Sequence, residues 1–439
     1  MKDESSAFGS RYADAYRENI LPLRERAEIQ NAWLKKRLET VLPEIMEREG
    51  FDMWIVTSRE SNEDPVYFSL VPEPALYAKR RTILLFHLKD GNLEKLNIYN
   101  TGFPGFYDAA WDPNKEEQHE CLGRIVRERD PESIGINYSQ RTQYGDGLTH
   151  GDYLYLEKAL GEKYMARTKS AQRLAWGWLE RRIPEEIEVY DSLVEITHAI
   201  IADAFSSRVI TPGITTVDDV SWWMRQKIRD LGLLAWFQPG IDLQAMDVDM
   251  GPMGRSKGEG KRRVIKKGDL LHCDVGFRYL GLRTDVQQNA YVLRPGEYDA
   301  PQGLKDALAD GNRLQDIHAE AMVAGRTGNE ILKATREKAV GEGINPSVYT
   351  HPIGFHGHAA GPTIGLWDHQ EGVPGRGDYE LFDDTGYSIE LNVRFNVPEW
   401  GGKEVRMSLE QDAVFTGGKL RFLAGRQKRF HLVGSPLPP

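Results

Sequence analysis

The second half of the sequence repeats one order of elements. Two stretches with the apolar periodicity of helices (184–231) precede two strand-like stretches (268–293), and the same order returns at 302–341 and 386–416. The two copies show no clear sequence identity. A helix pair followed by a strand pair, twice over, nevertheless predicts an internal duplication in a mixed helix-and-sheet domain.

The first part of the chain has a different organisation. The predicted elements are a helix over 12–49 that ends at Gly50, strands at 51–58, 80–88, 95–100 and 133–139, and a helix near 152–162. This pattern is typical of α/β domains, and no cluster of catalytic residue types accompanies it. Because 439 residues exceed the usual size of one domain, we expect a regulatory or dimerising α/β domain at 1–172 and a second domain at 173–439.

Charge and composition argue against several classes of protein. The net charge is -10, and no face or tail concentrates Lys and Arg, so we expect neither nucleic acid nor a membrane surface as a partner. Two cysteines, Cys121 and Cys273, do not form a disulfide framework. The opening "MKDESSAFGS" lacks the apolar core of a signal peptide. A cytoplasmic protein is therefore expected, or an exported one if a signal peptide has been removed.

Four strand-like segments each carry a carboxylate among alternating apolar side chains. Each carboxylate falls on the polar face of its segment: Asp274 in 268–277, Asp285 in 282–292, Glu390 in 387–395 and Glu410 in 405–415. One such face is most simply the solvent face of an antiparallel sheet. Four polar faces without a lysine favour a site instead, because gathered carboxylates repel one another unless a cation compensates their charge. Such oxygen ligands, with one imidazole, suit two hard divalent ions that activate a water molecule.

Histidines are concentrated in one irregular stretch. The segment "THPIGFHGHAAGPTIGLWDHQ" (350–370) contains His351, His356, His358 and His369, four of the eleven histidines of the chain. Its glycines and prolines exclude one regular helix or strand. The residues alone do not determine which imidazole joins the carboxylates.

The order Asp, Asp, His, Glu, Glu resembles that of the pita-bread metallopeptidases, which include methionine aminopeptidase, aminopeptidase P, prolidase and the creatinase relatives. The stretch "CDVGFRYLGLRTDVQQNAYV" is similar to the family's D-x-G followed by D-[IV]-x-R, "YSIELNV" to T-I-E-P-G, and "VRMSLEQDAVFT" to V-R-I-E-D-x-V-x-V-T. An amino-terminal domain of this size resembles that of aminopeptidase P, prolidase and creatinase. The resemblance implies an α+β chain, with a creatinase-like α/β domain at 1–172 and a pita-bread catalytic domain at 173–439.

The resemblance also implies a set of metal ligands. These are Asp274 for one ion, Asp285 and Glu410 as bridges between both ions, and His358 with Glu390 for the second ion. His358 is chosen because "HPIGFHGHAAGPTIGL" is similar to the creatinase-type run H-x-x-G-x-x-x-H-x-x-G-x-x-x-G-L, in which the second histidine takes the metal position. The implied cofactors are two divalent ions, Mn²⁺ first and Zn²⁺, Co²⁺ or Fe²⁺ as alternatives.

Further residues are implied around the substrate. If "PTIG" is set aside, His369 falls on the family's catalytic histidine, which stabilises the tetrahedral intermediate or moves protons. The family has another histidine upstream of its first aspartate, but the segment 244–266 that occupies this place has none. His351 and His356 are candidates for that role. Arg406 is expected to bind substrate, although it lies four residues before the last glutamate and the family's arginine lies two before it.

The function implied by the resemblance is hydrolysis of small peptides at Xaa-Pro bonds. The nitrogen of such a tertiary amide needs a proton in order to leave, which gives a histidine near the metals a role. Two alternatives stay open: another metal-dependent hydrolase of ester, phosphoester or amidino C–N bonds, and a non-catalytic member that keeps the fold. Relatives with this layout are commonly homodimers, so a homodimer is implied as well.

Overall fold

The computed structural model describes residues 13–247 and 263–434, and these residues form two compact units. One unit spans 22–183, and the other contains 13–21 together with the described residues from 184 onward. The sequence-based boundary at 172/173 falls at the start of a helix of the unit 22–183, which ends at Ile183, and the other unit resumes along the chain at Pro184. Part of the segment 244–266, which occupies the place of the family's upstream histidine, lies outside the described residues, as does Met1.

The unit 22–183 is an α/β domain. Its helices are α1 (Leu23–Glu49), α2 (Tyr67–Leu70), α3 (Gln118–Arg129), α4 (His150–Met165) and α5 (Gln172–Glu180), with a 3₁₀ helix at Gln143–Gly145. Its strands are β1 (Met53–Ser58), β2 (Thr82–Lys89), β3 (Asn92–Asn97), β4 (Asp108–Ala109), β5 (Ile134–Ile136) and β6 (Thr168–Ser170). They form one sheet in the order β4-β3-β2-β1-β5-β6, antiparallel where β1, β2 and β3 pair and parallel elsewhere.

The predicted helix over 12–49 consists of two elements in the described residues. Ala13–Asn19 is a 3₁₀ helix that belongs to the other unit, and α1 starts only after Pro22, whose ψ of 155° is extended. A proline at this point ends the preceding helix because it supplies no backbone donor and restricts the residue before it. The predicted stop at Gly50 is confirmed, with φ 72° in the left-handed region that favours glycine.

The second unit contains the predicted helix pairs and strand pairs. Its α-helices are α6 (Pro184–Ala204), α7 (Val217–Asp230), α8 (Gln302–Ala321) and α9 (Gly328–Gly341), and a 3₁₀ helix occupies Pro398–Trp400. Its strands are β7 (Leu234–Ala235), β8 (Gly240–Gln244), β9 (Leu270–Val275), β10 (Phe277–Tyr279), β11 (Leu282–Arg283), β12 (Val286–Val292), β13 (Pro346–Val348), β14 (His351–Pro352), β15 (Thr385–Ser388), β16 (Leu391–Val397), β17 (Lys403–Leu409), β18 (Asp412–Thr416), β19 (Lys419–Phe422) and β20 (His431–Val433).

Four small sheets are built from these strands. Their orders are β11-β10-β7, β20-β12-β9-β8, β13-β16-β17 and β14-β15-β18-β19. Helices α8 and α9 pack their apolar faces against the strands of the second half, in a core that contains Leu304, Leu314, Leu391 and Leu409. Burial of these side chains stabilises the arrangement by roughly 1.5–3 kcal/mol each.

The second helix of each pair begins in the same way. Thr216 accepts a hydrogen bond from the backbone of Asp219 at the start of α7, and Asp219 accepts one from the backbone of Thr216. Thr327 and Glu330 make the same reciprocal pair at the start of α9. Such a capping box satisfies two backbone donors that helix geometry leaves free. The shared cap supports the predicted duplication.

The four predicted carboxylate strands are each interrupted where the chain passes from one sheet to another. Gly276 separates β9 from β10, Thr284 and Asp285 separate β11 from β12, and the later breaks fall at Ile389–Glu390 and Glu410–Gln411. The prediction of one continuous strand for each segment is wrong, because each segment forms two strands that belong to different sheets. Three of the four carboxylates therefore lie at breaks, where the chain bends between sheets, and only Asp274 lies within a strand.

No helix within the described ranges is both long enough and apolar enough to cross a lipid bilayer.

Candidate metal centre

Six side chains converge where the strand breaks meet. They form three overlapping groups whose potential ligand atoms lie within 4.8 Å of one another: Asp274 with Asp285 and Glu410, His351 with Glu390 and Glu410, and Asp285 with His351 and His358. The four predicted carboxylates and two of the four loop histidines are thus brought together.

Backbone pairing holds the first two carboxylates side by side. Strands β9 and β12 are antiparallel with Val275 opposite Val286, which places Asp274 and Asp285 at the same end of the hairpin. Gly276 permits the close crossing at this point, because a Cβ there would lie 2.0 Å from the Thr284 carbonyl oxygen. The backbone N–H of Asp285 donates to Asp412 Oδ2 at 3.0 Å, which fixes the bend.

The carboxylates are held in an environment that penalises their charge. Burial raises the pKa values of Asp274, Asp285 and Glu390 well above their ordinary range, and the neighbouring Glu410 raises them further. The Oδ1 atoms of Asp274 and Asp285 have no hydrogen-bond partner within the described part of the chain. Buried carboxylate oxygens without donors are the arrangement that a bound cation compensates.

One ring nitrogen of His351 faces these oxygens. Its Nδ1 lies 3.0 Å from the Pro352 carbonyl oxygen, which can only accept, so Nδ1 carries a proton. Its Nε2 lies 3.2 Å from Glu410 Oε1 and 3.7 Å from Asp285 Oδ2. A nitrogen and carboxylate oxygens at these distances are held together by a shared proton or by a metal cation between them. A backbone carbonyl that orients an imidazole in this way is typical of metal-binding histidines.

His358 lies at the open side of the cluster. Its ring meets the His351 ring edge-on at a centroid distance of 4.7 Å, and it lies 5.6 Å from Trp236 and 6.3 Å from Tyr349. Although part of the ring is exposed to solvent, the walls of the site desolvate it and lower its pKa to about 4, with His351 lowering it further. His358 is therefore a neutral imidazole at physiological pH.

The other two predicted histidines lie outside the candidate groups. Within the described ranges, no group that could hold a metal includes His356 or His369. The His369 side chain is 54% exposed, and its Nδ1 lies 2.9 Å from Asp368 Oδ1. The ring of His356 lies 5.1 Å from that of Phe355.

Arg406 is on β17 beside the cluster. Gln244 holds its backbone through two hydrogen bonds, of 2.7 Å to its carbonyl oxygen and 3.0 Å from its N–H. Burial is the largest cause of the raised pKa of Glu390, and the charge of Arg406 opposes that rise.

Several residues of the site did not stand out in the sequence. Ser388 Oγ lies 2.7 Å from Glu410 Oε1, Gln287 Nε2 donates to Glu390 at 3.0 Å, and Asp412 supports the bend at Asp285. The signal that could have found Gln287 is the run of polar amides "QQN" within a strand that is otherwise apolar and buried throughout.

Two aromatic side chains form a wall beside the cluster. The Trp236 indole N–H donates to the Thr284 carbonyl at 2.8 Å, and its ring lies so close to Gly357 that a Cβ there would be 2.3 Å from the ring. The backbone N–H of Tyr349 donates to the Glu390 carbonyl at 2.9 Å, and burial raises the pKa of its phenol to about 12. A neutral phenol and an indole leave an apolar surface next to charged ligands, as small-molecule sites require.

A comparison with protein families identifies the chain. Residues 188–416 match the profile of metallopeptidase family M24, which covers the whole cluster up to Glu410. The chain belongs to this family. M24 is a family of metal-dependent peptidases, and the convergent donor set of this chain fits a metal. The resemblance drawn from the sequence motifs is confirmed.

Solved structures show the same fold over nearly the whole chain. An X-Pro aminopeptidase from Thermotoga maritima superposes with a TM-score of 0.61 at 16% identity, covering 88% of this chain and 99% of its own. An Xaa-Pro dipeptidase from Bacillus anthracis gives 0.61 at 16%, covering 91% and 99%. A dipeptidase from Pyrococcus horikoshii gives 0.58 at 18%, covering 90% and 99%. A search of curated protein sequences finds no match. The predicted pita-bread architecture with its amino-terminal α/β domain is confirmed as a fold.

Proposed function

We propose that this M24 member is a metal-dependent hydrolase that cleaves small peptides at Xaa-Pro bonds. The observation that carries the proposal is the convergence of four carboxylates with the imidazoles of His351 and His358, because clustered carboxylates with unpartnered buried oxygens call for a divalent cation. The similarity in fold to an X-Pro aminopeptidase and an Xaa-Pro dipeptidase supports the choice of bond.

The proposed ligands correspond to the candidate groups. Asp274, Asp285 and Glu410 would hold one ion, and Glu390 would hold a second ion with Glu410 and an imidazole. His351 is supported best as that imidazole, because a carbonyl orients its ring. Ligation by His358, which the sequence motifs imply, stays a prediction, since His358 shares a candidate group with Asp285 and His351. We propose two Mn²⁺ ions, with Zn²⁺, Co²⁺ and Fe²⁺ as alternatives. Bound ions of this kind lower the pKa of water and polarise an attacked carbonyl group.

The protein supplies the remaining chemistry through residues around the cluster. His358, neutral and at the open side, is placed to donate a hydrogen bond to the oxygen on which negative charge develops. Trp236 and Tyr349 would bind the apolar side of the substrate and exclude water. We also propose that Arg406, whose positive charge acts to lower the pKa of Glu390, contacts the substrate. Catalytic roles for His356 and His369 stay predictions, as does a homodimer.

The experiment that tests this function is a comparison of substrates on the full chain with added Mn²⁺. Hydrolysis of Xaa-Pro dipeptides and Xaa-Pro-Yaa tripeptides is measured against peptides that lack proline. We expect cleavage at the Xaa-Pro bond and its loss in Asp285→Asn. The control is Asp306→Asn on α8, an exposed position where the carboxylate accepts a hydrogen bond from Gln302. Cleavage of esters or phosphoesters, and of no peptide, would assign the site to another hydrolase reaction.

A further inference from the structure

Strand β12 contains two neighbouring glutamines, each bonded to a histidine. Gln287 Oε1 lies 2.8 Å from His272 Nε2, and Gln288 Oε1 lies 2.7 Å from His431 Nε2. Because side chains alternate along a strand, the two pairs lie on opposite faces of the same sheet. Both glutamine side chains are buried. The chain thus contains two similar His–Gln pairs one residue apart.

The two pairs differ in the contact made by the amide nitrogen of the glutamine. Gln287 Nε2 donates to Glu390 Oε1 at 3.0 Å, so the pair on that face continues to a candidate metal ligand. Within the described residues, the Gln288 Nε2 atom has no hydrogen-bond partner. Only the face of Gln287 leads into the metal centre.

The direction of the Gln287 amide is determined by its two neighbours. A carboxylate that binds a metal is ionised and only accepts hydrogen bonds, so in the metal-bound protein the amide nitrogen faces Glu390 and the amide oxygen faces His272. His272 Nε2 then donates the proton of this bond. If the amide turned over, its oxygen would face the Glu390 carboxylate and its NH₂ group would face the Nε2–H of His272. Both contacts would be lost together.

The backbone of Gln287 is held by residues that are candidate metal ligands. It exchanges two hydrogen bonds with the backbone of Glu410, at 3.1 Å and 3.3 Å, and it lies opposite Asp274 in the register of β9 and β12. One residue thus contacts Glu410 and Asp274 through its backbone and Glu390 through its side chain. A shift of Gln287 would therefore also move the backbone at Asp274 and Glu410, which are both candidate ligands.

We infer that Gln287 is a positioning residue, which holds the Glu390 carboxylate at the metal centre, and that His272 sets the direction of its amide. This inference rests on the metal site of the proposed function and not on its substrate. Partners of this kind orient metal-binding carboxylates, and their loss typically costs about 10–100-fold in metal affinity.

Calorimetric titration of the stripped full-length protein with Mn²⁺ tests the inference without any peptide. We expect Gln287→Met to weaken binding of one ion by about 10–100-fold and His272→Phe to weaken the same ion. Because both act through one amide, the double variant should bind no more weakly than Gln287→Met alone. His272→Gln, whose amide can donate to Gln287, should restore most of the affinity.

The second His–Gln pair supplies matched controls. Gln288→Met and His431→Phe remove the same chemical groups from the opposite face, and we expect their Mn²⁺ affinity to stay within about 2-fold of the wild type, because neither side chain contacts a carboxylate of the cluster. Thermal unfolding of each metal-free variant is recorded in parallel, so that a variant that fails to fold is recognised. If the Gln287 variant does not fold, the comparison of His272→Phe with His272→Gln tests the inference instead.

Three outcomes would overturn the inference: equal loss of affinity in the Gln287 and Gln288 variants, additive losses in the double variant, or a wild-type chain that binds no Mn²⁺. Failure of the proposed function would appear differently. In that case the wild type would bind Mn²⁺, the Gln287 variant would bind it more weakly, and neither would cleave an Xaa-Pro peptide.

Discussion

His351 Nε2 lies 3.2 Å from Glu410 Oε1, while the Nδ1 of the same ring lies 3.0 Å from the Pro352 carbonyl oxygen. This geometry distinguishes the roles of His351 and His358. A ring that is oriented by a carbonyl and directs its other nitrogen at carboxylates is suited to ligation. The neighbouring His358 lies on the open side, where a substrate would meet it.

We predict that His351→Ala and His358→Ala fail in different ways. His351→Ala should lower the number of Mn²⁺ ions bound per chain, measured by plasma mass spectrometry after gel filtration, and should lose activity as a result. His358→Ala should keep its metal and lose roughly 10²–10³-fold in kcat, which is the usual cost of removing one donor to a developing oxyanion. If His358→Ala lost the metal and His351→Ala kept it, the roles would be exchanged.

Much of the fold was predictable because it depends on local patterns. The capping box at Thr216 and Asp219 and the stop at Gly50 can be read from short stretches of sequence, and both are present. The strand breaks were not predictable from alternation. The segment 387–395 alternates regularly through Glu390, yet the chain changes sheets there, because neighbouring strands and not its own pattern determine where it bends.

The candidate metal site was likewise predictable only where it depends on local sequence patterns. The four carboxylates were predicted because each interrupts an apolar pattern, and they do converge. The position of His351 depends on a carbonyl orienting its ring and on the bend that carries β14 beside Glu410, and neither is visible in residue spacing. Contacts between residues distant in sequence, such as Trp236 with His358, leave no local signal either.

We predict that the metal-free protein loses stability as pH rises. The pKa values of Asp274, Asp285 and Glu390 are raised in the folded state by burial and by Glu410, whereas in the unfolded chain they lie near the ordinary value of roughly 4. The folded state therefore binds more protons than the unfolded state, and the free energy of unfolding falls as pH rises through the folded pKa values. Added Mn²⁺ should reverse the loss, because it replaces those protons.

Thermal unfolding between pH 7 and 9, with and without Mn²⁺, measures this effect. The range avoids the buried histidines His198, His318 and His431, whose pKa values are lowered by burial to about 4, 3 and 4 and whose contribution is lost only as pH falls below roughly 6.5. Asp285→Asn should show a weaker dependence on pH than the wild type. An equal dependence in metal-free wild type and variant would show that the carboxylate cluster is not its source.

We predict that Ser388→Ala weakens metal binding without changing the fold. The single hydroxyl proton has two acceptors within reach, Glu410 Oε1 at 2.7 Å and the Asp285 carbonyl at 3.1 Å, and the side chain is completely buried. Loss of a donor to a metal-binding carboxylate typically costs about 10–100-fold in metal affinity. Ser388→Thr, which keeps the hydroxyl, is the comparison. The prediction fails if both variants bind Mn²⁺ with the same affinity as the wild type.

Gly357 offers a test of the aromatic wall. A Cβ at this position would lie 2.3–2.5 Å from three ring carbons of Trp236, whose indole is held by the Thr284 carbonyl. Gly357→Ala should therefore displace the ring, cost about 1–3 kcal/mol of stability as overpacking does, and raise KM more than it lowers kcat. Gly341→Ala is the control, since a Cβ there meets nothing within 4 Å, and alanine is favoured over glycine in a helix by up to about 1 kcal/mol. If Gly357→Ala unfolds at the wild-type temperature and keeps the wild-type KM, Trp236 does not form a wall of the substrate site.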